Sequence, residues 1–179
     1  MDDLPKVVAL DANALICLCG KECDDRLKLE HLFSVLDKQK GIVILPTPSV
    51  SEFLIGADQA AHDMMEVLQN KASVRICPFD LAGAYECAQM NAAAIGRSGG
   101  NKRDGIDPDR AWQQVKFDRQ IVAIAKSNGA RLIISNDSGV RACSQRVGIK
   151  TLRMDELPFP DHARQAKIPL EVEQPDEED

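Results

Sequence analysis

The sequence predicts an α/β fold: a three-layer α/β/α sandwich around a mostly parallel central sheet of about five strands. Two patterns in the 179 residues support this prediction. Short apolar or β-branched runs of strand length recur along the chain, and stretches with apolar residues at helical spacing lie between them. Strands that alternate with helices are typical of a parallel sheet covered by helices on both faces.

Each predicted element has a simple local basis. The strands are predicted at VVAL (Val7–Leu10), IVIL (Ile42–Leu45), VRIC (Val74–Cys77), LII (Leu132–Ile134) and IKTL (Ile149–Leu152). Apolar periodicity predicts helices at Arg26–Gln39, Leu81–Ile95 and Val115–Lys126. Gly41, Gly129 and Gly148 each follow a helical run, where a helix C-terminus favours a left-handed residue.

Residues 1–157 are predicted to form a single domain with one long interruption. Residues 97–109 (RSGGNKRDGIDPD) are rich in Gly and charged side chains and have no periodicity, which predicts a mobile loop. Residues 158–179 contain four prolines and end in PDEED. This composition predicts an extended arm and a disordered acidic tail.

Charge is distributed unevenly along the chain, although the net charge is only −6. Residues 95–153 carry 12 Lys and Arg against 5 Asp and Glu, whereas residues 154–179 carry 2 against 9. A basic segment between acidic ones fits a binding site for a polyanion, because Lys and Arg displace counterions from phosphates. The acidic tail is then expected to mask the basic segment in cis. It also fits a solvated helix face followed by an acidic tail.

Composition argues against several classes of protein. Aromatic residues make up 4% of the chain, too few for repeated stacking on nucleic-acid bases. No apolar run reaches the roughly 18 residues of a membrane span, and the N-terminus is acidic, so we expect a cytoplasmic protein without membrane association. The six cysteines are expected to be reduced thiols, since a zinc site at Cys17, Cys19 and Cys23 lacks a second pair of ligands.

Two acids follow predicted strands directly. Asp11 follows VVAL, and Asp137 follows LIISN. The carboxyl ends of parallel strands are where open α/β sheets bind ligands, so both acids are expected at one edge. Each could instead simply cap the helix that follows it.

Two further acids are predicted to point inward. Asp118 lies three residues after Val115 and four before Val122, on the apolar stripe of its helix. Glu52 lies beside Phe53 and Leu54 in a segment that begins with helix-start residues. A buried carboxylate needs a cation, strong donors or a proton. The alternatives are an ion pair of Asp118 with Lys116 or Arg119 and a solvent-facing Glu52.

One hard divalent cation would explain all four acids together, because Mg²⁺ and Mn²⁺ prefer oxygen ligands and the chain has no His cluster. The ordered segments LDANAL, SVSEFL, KFDRQIVAIA, LIISNDSGVR and IKTLRMDEL resemble the PIN-domain nucleases, including the toxin ribonucleases of bacterial toxin–antitoxin pairs. The resemblance covers about Val7 to Leu157.

The resemblance implies a PIN-like fold and a metal-dependent endoribonuclease that acts on single strands of RNA, with single-stranded DNA as a second substrate class. It implies that Asp11, Glu52, Asp118 and Asp137 bind Mg²⁺ or Mn²⁺ and are catalytic. It implies that Asn13, Ser135 and Asn136 support them. An antitoxin protein and a homodimer are the implied partners. Lys116, Arg119 and Arg141 are candidate contacts to substrate phosphates.

The chain departs from the family pattern in two ways, and three other functions remain open. Asp137 is followed by Ser138, Gly139 and Val140 where many family members have another acid or His, and the chain is longer than a minimal toxin. A PIN-like scaffold without catalysis is one alternative. A HAD-like phosphatase needs a second Asp where Asn13 stands, and a receiver-type signalling domain needs an Asp and a Lys that Asp80 and Lys150 match only loosely.

Overall fold

All five predicted strands are present in the computed structural model, which describes residues 4–97, 112–161 and 163. They are β1 (Val7–Leu10), β2 (Ile42–Pro46), β3 (Val74–Cys77), β4 (Leu132–Ile134) and β5 (Lys150–Leu152). They form one sheet in the order β3-β2-β1-β4-β5, and every neighbouring pair is parallel. The predicted α/β class is therefore confirmed.

Helices connect the strands and match the three helical stretches that the periodicity predicts, with Gln39 as the C-cap of its helix and not inside it. They are α1 (Ala12–Cys19), α2 (Asp24–Lys38), α3 (Thr47–Ile55), α4 (Gln59–Gln69), α5 (Leu81–Arg97), α6 (Trp112–Ser127) and α7 (Ser138–Arg146). The sequence analysis did not predict α4. The sequence nevertheless contains two signals for this helix. Asp58 is a favoured N-cap residue, and in the structure it accepts a hydrogen bond from Ala61 N at 2.9 Å. Ala61, Met65 and Leu68 are apolar at helical spacing, and all three are buried.

The sheet separates two apolar cores, which makes the fold a three-layer sandwich. Val8 and Leu10 of β1 pack into the core formed with α1, α2 and α4, whereas Ala9 between them packs into the core formed with α6 and α7. Successive strand side chains point to opposite faces, so a strand covered on both faces must be apolar throughout. The unbroken apolar runs of β1, β2 and β4 have this cause.

The strand order places a topological switch point beside β1. The chain moves from β1 to β2 and β3 on one side, and then returns to β4 and β5 on the other. Leu10 is in register with Ile134, and Asp11 N donates a hydrogen bond to Ile134 O at 3.3 Å. The carboxyl ends of β1 and β4 therefore lie side by side, at the position where sheets of this type bind ligands.

Some predictions fall on residues that the structure does not describe. The loop predicted at 97–109 lies outside the described residues apart from Arg97, which ends α5, and so does the tail from residue 164 onward. Within the arm, the Phe159 ring lies under Lys28 of α2, with its centroid 4.7 Å from Nζ. Among the described helices, none combines the length and the apolar character that a membrane span requires.

Candidate active site

A pocket of about 310 Å³ opens at the carboxyl ends of β1 and β4. All four acids singled out in the sequence line it: Asp11 after β1, Glu52 on α3, Asp118 on α6 and Asp137 before α7. Residues separated by more than a hundred positions in the sequence thus meet at the switch point of the sheet.

Asp11 is the most deeply buried of these acids, with 2% of its surface exposed. Its Oδ1 accepts a hydrogen bond from Ala14 N at 3.1 Å and so caps α1, while its Oδ2 accepts one from the Ser135 hydroxyl. Burial raises the pKa of Asp11 to about 6, and the negative charges of Asp137 and Glu52 act in the same direction. The hydrogen bonds from Ser135 and Ala14 oppose this rise in the pKa of Asp11.

Asp137 is fixed at the start of α7. Its Oδ1 accepts from Gly139 N at 2.7 Å and from Val140 N at 2.9 Å, so the capping interpretation is correct for this acid as well as for Asp11. Its own backbone N–H donates to Ser135 Oγ at 3.0 Å. Capping and pocket lining are therefore compatible roles, because a cap fixes one carboxylate oxygen and sets the direction of the other.

Asp118 and Glu52 differ in burial. Asp118 is 7% exposed and lies on the same helix as the buried Ile121 and Val122, which confirms its predicted inward position. Glu52 is exposed, so the prediction that it points into the protein is wrong. Phe53 takes the buried position of α3 instead, and Glu52, about 100° away around the helix, lines the open side of the pocket.

The donors in this pocket fit a hard divalent cation that is only partly held by protein. Four carboxylates provide the oxygen ligands that Mg²⁺ and Mn²⁺ take. Within the described residues, no three His, Cys, Asp or Glu side chains are already gathered closely enough to hold a metal ion. Mg²⁺ usually keeps several waters and binds one or two carboxylates together with substrate phosphates, so it does not need a prebuilt cage.

The polar residues predicted to support the acids have distinct places. Ser135 is fully buried between Asp11 and Asp137, and Asn13 lines the pocket. Asn136 lies outside the lining, and its Oδ1 accepts a hydrogen bond from Met154 N at 3.1 Å. Asn136 therefore connects the loop after β4 to the segment after β5.

The three predicted phosphate contacts do not line this pocket. Lys116 is exposed on α6, and Arg141 is half-buried on α7, where its buried Nε has no hydrogen-bond partner among the described residues. Arg119 is 8% exposed, donates to Asn91 Oδ1 and lines a different pocket. Asp118 and Arg119 are adjacent in sequence but about 100° apart around α6, so they face different surroundings.

The pocket also has an apolar wall that the sequence analysis missed. Ile55 is 85% exposed and Phe117 is 50% exposed, and both line the pocket beside the acids. Pro48, Ile121 and Val140 extend this wall. Periodicity could not identify Ile55 and Phe117, because it predicts which apolar residues are buried and they are exposed.

The alternatives lose support from the geometry. Lys150 begins β5, at the end of the sheet opposite the pocket, and Asp80 Oδ1 caps α5 by accepting from Gly83 N at 2.9 Å. Neither lines the pocket as a receiver domain requires. Asn13, at the position of the second HAD acid, is an amide. The Sγ atoms of Cys17 and Cys23 are 3.8 Å apart, and burial raises the pKa of Cys17 to about 12, so this thiol is neutral when no metal is bound.

Comparison with known proteins gives similarity of structure without similarity of sequence. No family model and no curated protein matches the chain. A chain of VapBC2 from Rickettsia felis, crystallised with a DNA fragment from the promoter, matches with a TM-score of 0.55 at 10% identity, over 82% of this chain and 98% of that one. A chain of DNA-bound VapBC from Salmonella typhimurium matches with a TM-score of 0.53 at 16% identity, over 82% and 97%. At such identities the similarity shows the fold.

Proposed function

We propose that this chain is a metal-dependent nuclease of the PIN type that hydrolyses phosphodiester bonds in single-stranded RNA. The observation that carries the proposal is the meeting of Asp11, Glu52, Asp118 and Asp137 around one pocket at the switch point of a parallel sheet. Four carboxylates repel one another, and the raised pKa of Asp11 expresses this repulsion as well as burial. A bound cation offsets both the repulsion between the carboxylates and the unfavourable burial of their charge.

Each acid has a role that follows from its burial. Bound Mg²⁺ or Mn²⁺ supplies a water of lowered pKa and a positive charge for the scissile phosphate. Asp11 and Asp118, the two buried acids, are the central ligands, and Asp137 is a ligand of a second or shared ion. Glu52 is exposed on the open side of the pocket, where it orients the attacking water and accepts its proton.

The apolar wall supports a single-stranded substrate. Phe117 is half-exposed directly beside Asp118, and Ile55 lies on the other helix of the rim. An unpaired base can stack on an aromatic ring, whereas a base within a duplex is already stacked and paired. The preference for RNA over DNA comes from the resemblance to PIN-domain ribonucleases.

The similarity to the two VapBC structures supports a more specific proposal, that the chain is the toxin of a toxin–antitoxin pair. An antitoxin protein and a second copy of the chain are its proposed partners. The pocket provides the means of inhibition, because a partner seated over its open side would block access to Glu52 and Phe117.

Cleavage of end-labelled polymers tests the proposal. Single-stranded RNA, single-stranded DNA and duplex RNA are incubated with the wild type in Mn²⁺, in Mg²⁺ and in EDTA. We expect cleavage of single-stranded RNA that needs the metal and that falls by roughly a hundredfold or more in Asp118→Asn.

The matched control is Asp58→Asn, which changes an exposed helix cap outside the pocket and should cleave like the wild type. Cleavage in EDTA, or equal activity of Asp118→Asn, would contradict the proposal. A folded wild type that binds Mn²⁺ and RNA but cleaves none of the three polymers would instead support the scaffold alternative.

A further inference from the structure

A second pocket, of about 200 Å³, lies between α5, α6 and α7. Three cationic side chains line it: Arg119 and Lys126 from α6, and Arg146 at the end of α7. They belong to the basic segment 95–153, and none of them lines the acidic pocket. Helix α6 therefore separates two sites of opposite charge.

Arg119 is the central observation. Its side chain is 8% exposed, and its one hydrogen bond within the described residues goes to the neutral Asn91 Oδ1. No carboxylate of the described part of the chain pairs with it. A buried guanidinium without an anionic partner is costly, and among the described residues four of its five donors have no partner after the bond to Asn91.

The other charges leave the pocket electropositive. Lys126 Nζ pairs with Glu86 Oε2 at 2.7 Å, which neutralises one of the three cations. Arg146 is exposed at the pocket's edge. The three lining cations and Glu86 together leave an excess of two positive charges. The charge of Asp118 opposes this excess in part, because it also acts on Cys143 and raises the pKa of that thiol.

The remaining lining does not compete for these cations. Cys143 is buried in the pocket wall, and burial raises the pKa of its thiol to about 11, although Arg119 and Arg146 both lower it. The thiol is therefore neutral at physiological pH. Met90 and Val147 form an apolar side, and Gln89 adds a neutral donor.

We infer that this second pocket binds a phosphate group. Arginine forks match the oxygens of a phosphate with paired hydrogen bonds, and lysine adds a point charge. A phosphate monoester carries up to two negative charges, which matches the excess of two positive charges in the pocket. A free phosphate compound and the backbone of a bound nucleic acid share this chemistry.

Titration of the full-length chain with inorganic phosphate tests the inference. Amide shifts are followed by NMR in a chelator and at constant ionic strength, so that no metal can recruit phosphate to the acidic pocket. We expect saturable binding of one phosphate, with the largest shifts at Gln89, Arg119 and Arg146.

Two variants of the pocket and one control localise the binding. Arg146→Gln changes an exposed residue and should weaken phosphate binding about tenfold. Arg119→Lys keeps the positive charge but removes the paired N–H donors of the guanidinium, and it should also weaken phosphate binding. Arg131→Gln changes an exposed arginine outside the pocket and should leave it unchanged. Shifts that do not saturate, or equal affinity in Arg146→Gln and the wild type, would overturn the inference.

A short single-stranded RNA distinguishes the two sources of phosphate. If the pocket holds the RNA backbone, Arg146→Gln should reduce the slope of log affinity against log salt by about one. If it holds a free phosphate compound, the variant loses phosphate binding while the RNA slope stays the same. Phosphate binding is measured without metal, so this result is independent of whether the chain cleaves RNA.

Discussion

Ser135 joins two acids of the pocket. Its hydroxyl donates a hydrogen bond to Asp11 Oδ2 and accepts one from the backbone N–H of Asp137 at 3.0 Å. Because each of these acids also caps a helix, five hydrogen bonds together hold the ends of β1 and β4 in one arrangement. The protein thus fixes Asp11 and Asp137 relative to each other through its own hydrogen bonds, with a buried carboxylate as the main energetic cost.

The buried carboxyl of Asp11 should make stability depend on pH. Its pKa is about 6 in the folded protein against a reference value of 3.8, so the folded state binds the proton more tightly. The contribution of Asp11 to the unfolding free energy is therefore largest below about pH 4, falls as the pH rises through about 4 to 6, and stays lower above that range. The loss attributable to Asp11 is about 3 kcal/mol.

Urea unfolding between pH 4 and 8, without divalent cations, measures this dependence. The unfolding free energy of Asp11→Asn should fall much less in this pH range, because its side chain does not titrate. Asp58→Asn, which removes the charge of an exposed cap, should retain it. Unfolding free energies of the wild type and Asp11→Asn that change in parallel from pH 4 to 6 would contradict the assignment of a raised pKa to Asp11.

Removing the Ser135 hydroxyl should raise the pKa of Asp11 further, since that hydrogen bond lowers it. In Ser135→Ala we expect the unfolding free energy to keep falling as the pH rises above 6. At pH 8 it should be about 1–3 kcal/mol lower than that of the wild type. Carboxyl NMR titration of Asp11 measures the shift. Ser127→Ala removes a hydroxyl that donates to Ile124 O at 3.1 Å, away from the pocket, and should leave the pKa of Asp11 unchanged.

Phe117 should contribute to substrate affinity and not to the chemical step. Phe117→Ala should raise KM for single-stranded RNA about fivefold to tenfold with little change in kcat, because it removes the stacking surface while the acids remain. Phe117→Tyr keeps the ring and should behave like the wild type. An RNA with an abasic site beside the cleaved bond should be cut equally by both variants, and a persistent difference there would argue against stacking.

Lys28 should anchor the segment after β5. Its buried Nζ donates to Asp155 O at 3.0 Å and to Asp25 Oδ1 at 3.3 Å, and it lies over the Phe159 ring. Lys28→Met should lower the unfolding free energy by about 1–2 kcal/mol and increase amide exchange around residue 155. Lys21→Met, at an exposed position, should change stability by less than about 0.5 kcal/mol. Equal stability of the two variants would show that this anchor contributes little.

Much of the fold and the four pocket acids could be predicted because they depend on local patterns. Strands buried on both faces must be apolar throughout, which made β1, β2 and β4 visible in the sequence. The edge strands β3 and β5 have exposed residues and were visible as short runs rich in β-branched residues. Asp118 stood out because it interrupts an apolar stripe, and its burial is confirmed. Asp11 and Asp137 were placed by the rule that ligands bind at the carboxyl ends of strands.

The features that could not be predicted depend on the direction in which a side chain points and on how helices pack. The types of the neighbouring residues do not specify either. Glu52 was expected inside because Phe53 and Leu54 are apolar, yet one step along a helix turns a side chain by about 100°. The same rotation separates Arg119 from Asp118 and places it in the second pocket. The apolar wall of Ile55 and Phe117 could not be predicted, because it is exposed.

Binding of Mn²⁺ tests the central claim most directly. Free Mn²⁺ is measured by electron paramagnetic resonance during titration of the wild type, Asp118→Asn and Asp58→Asn at pH 7.5, where Asp11 is ionised. We predict saturable binding to the wild type and to Asp58→Asn, and at least about tenfold weaker binding to Asp118→Asn. Equal affinity of all three proteins, or no saturable binding to the wild type, would contradict a metal centre formed by these carboxylates.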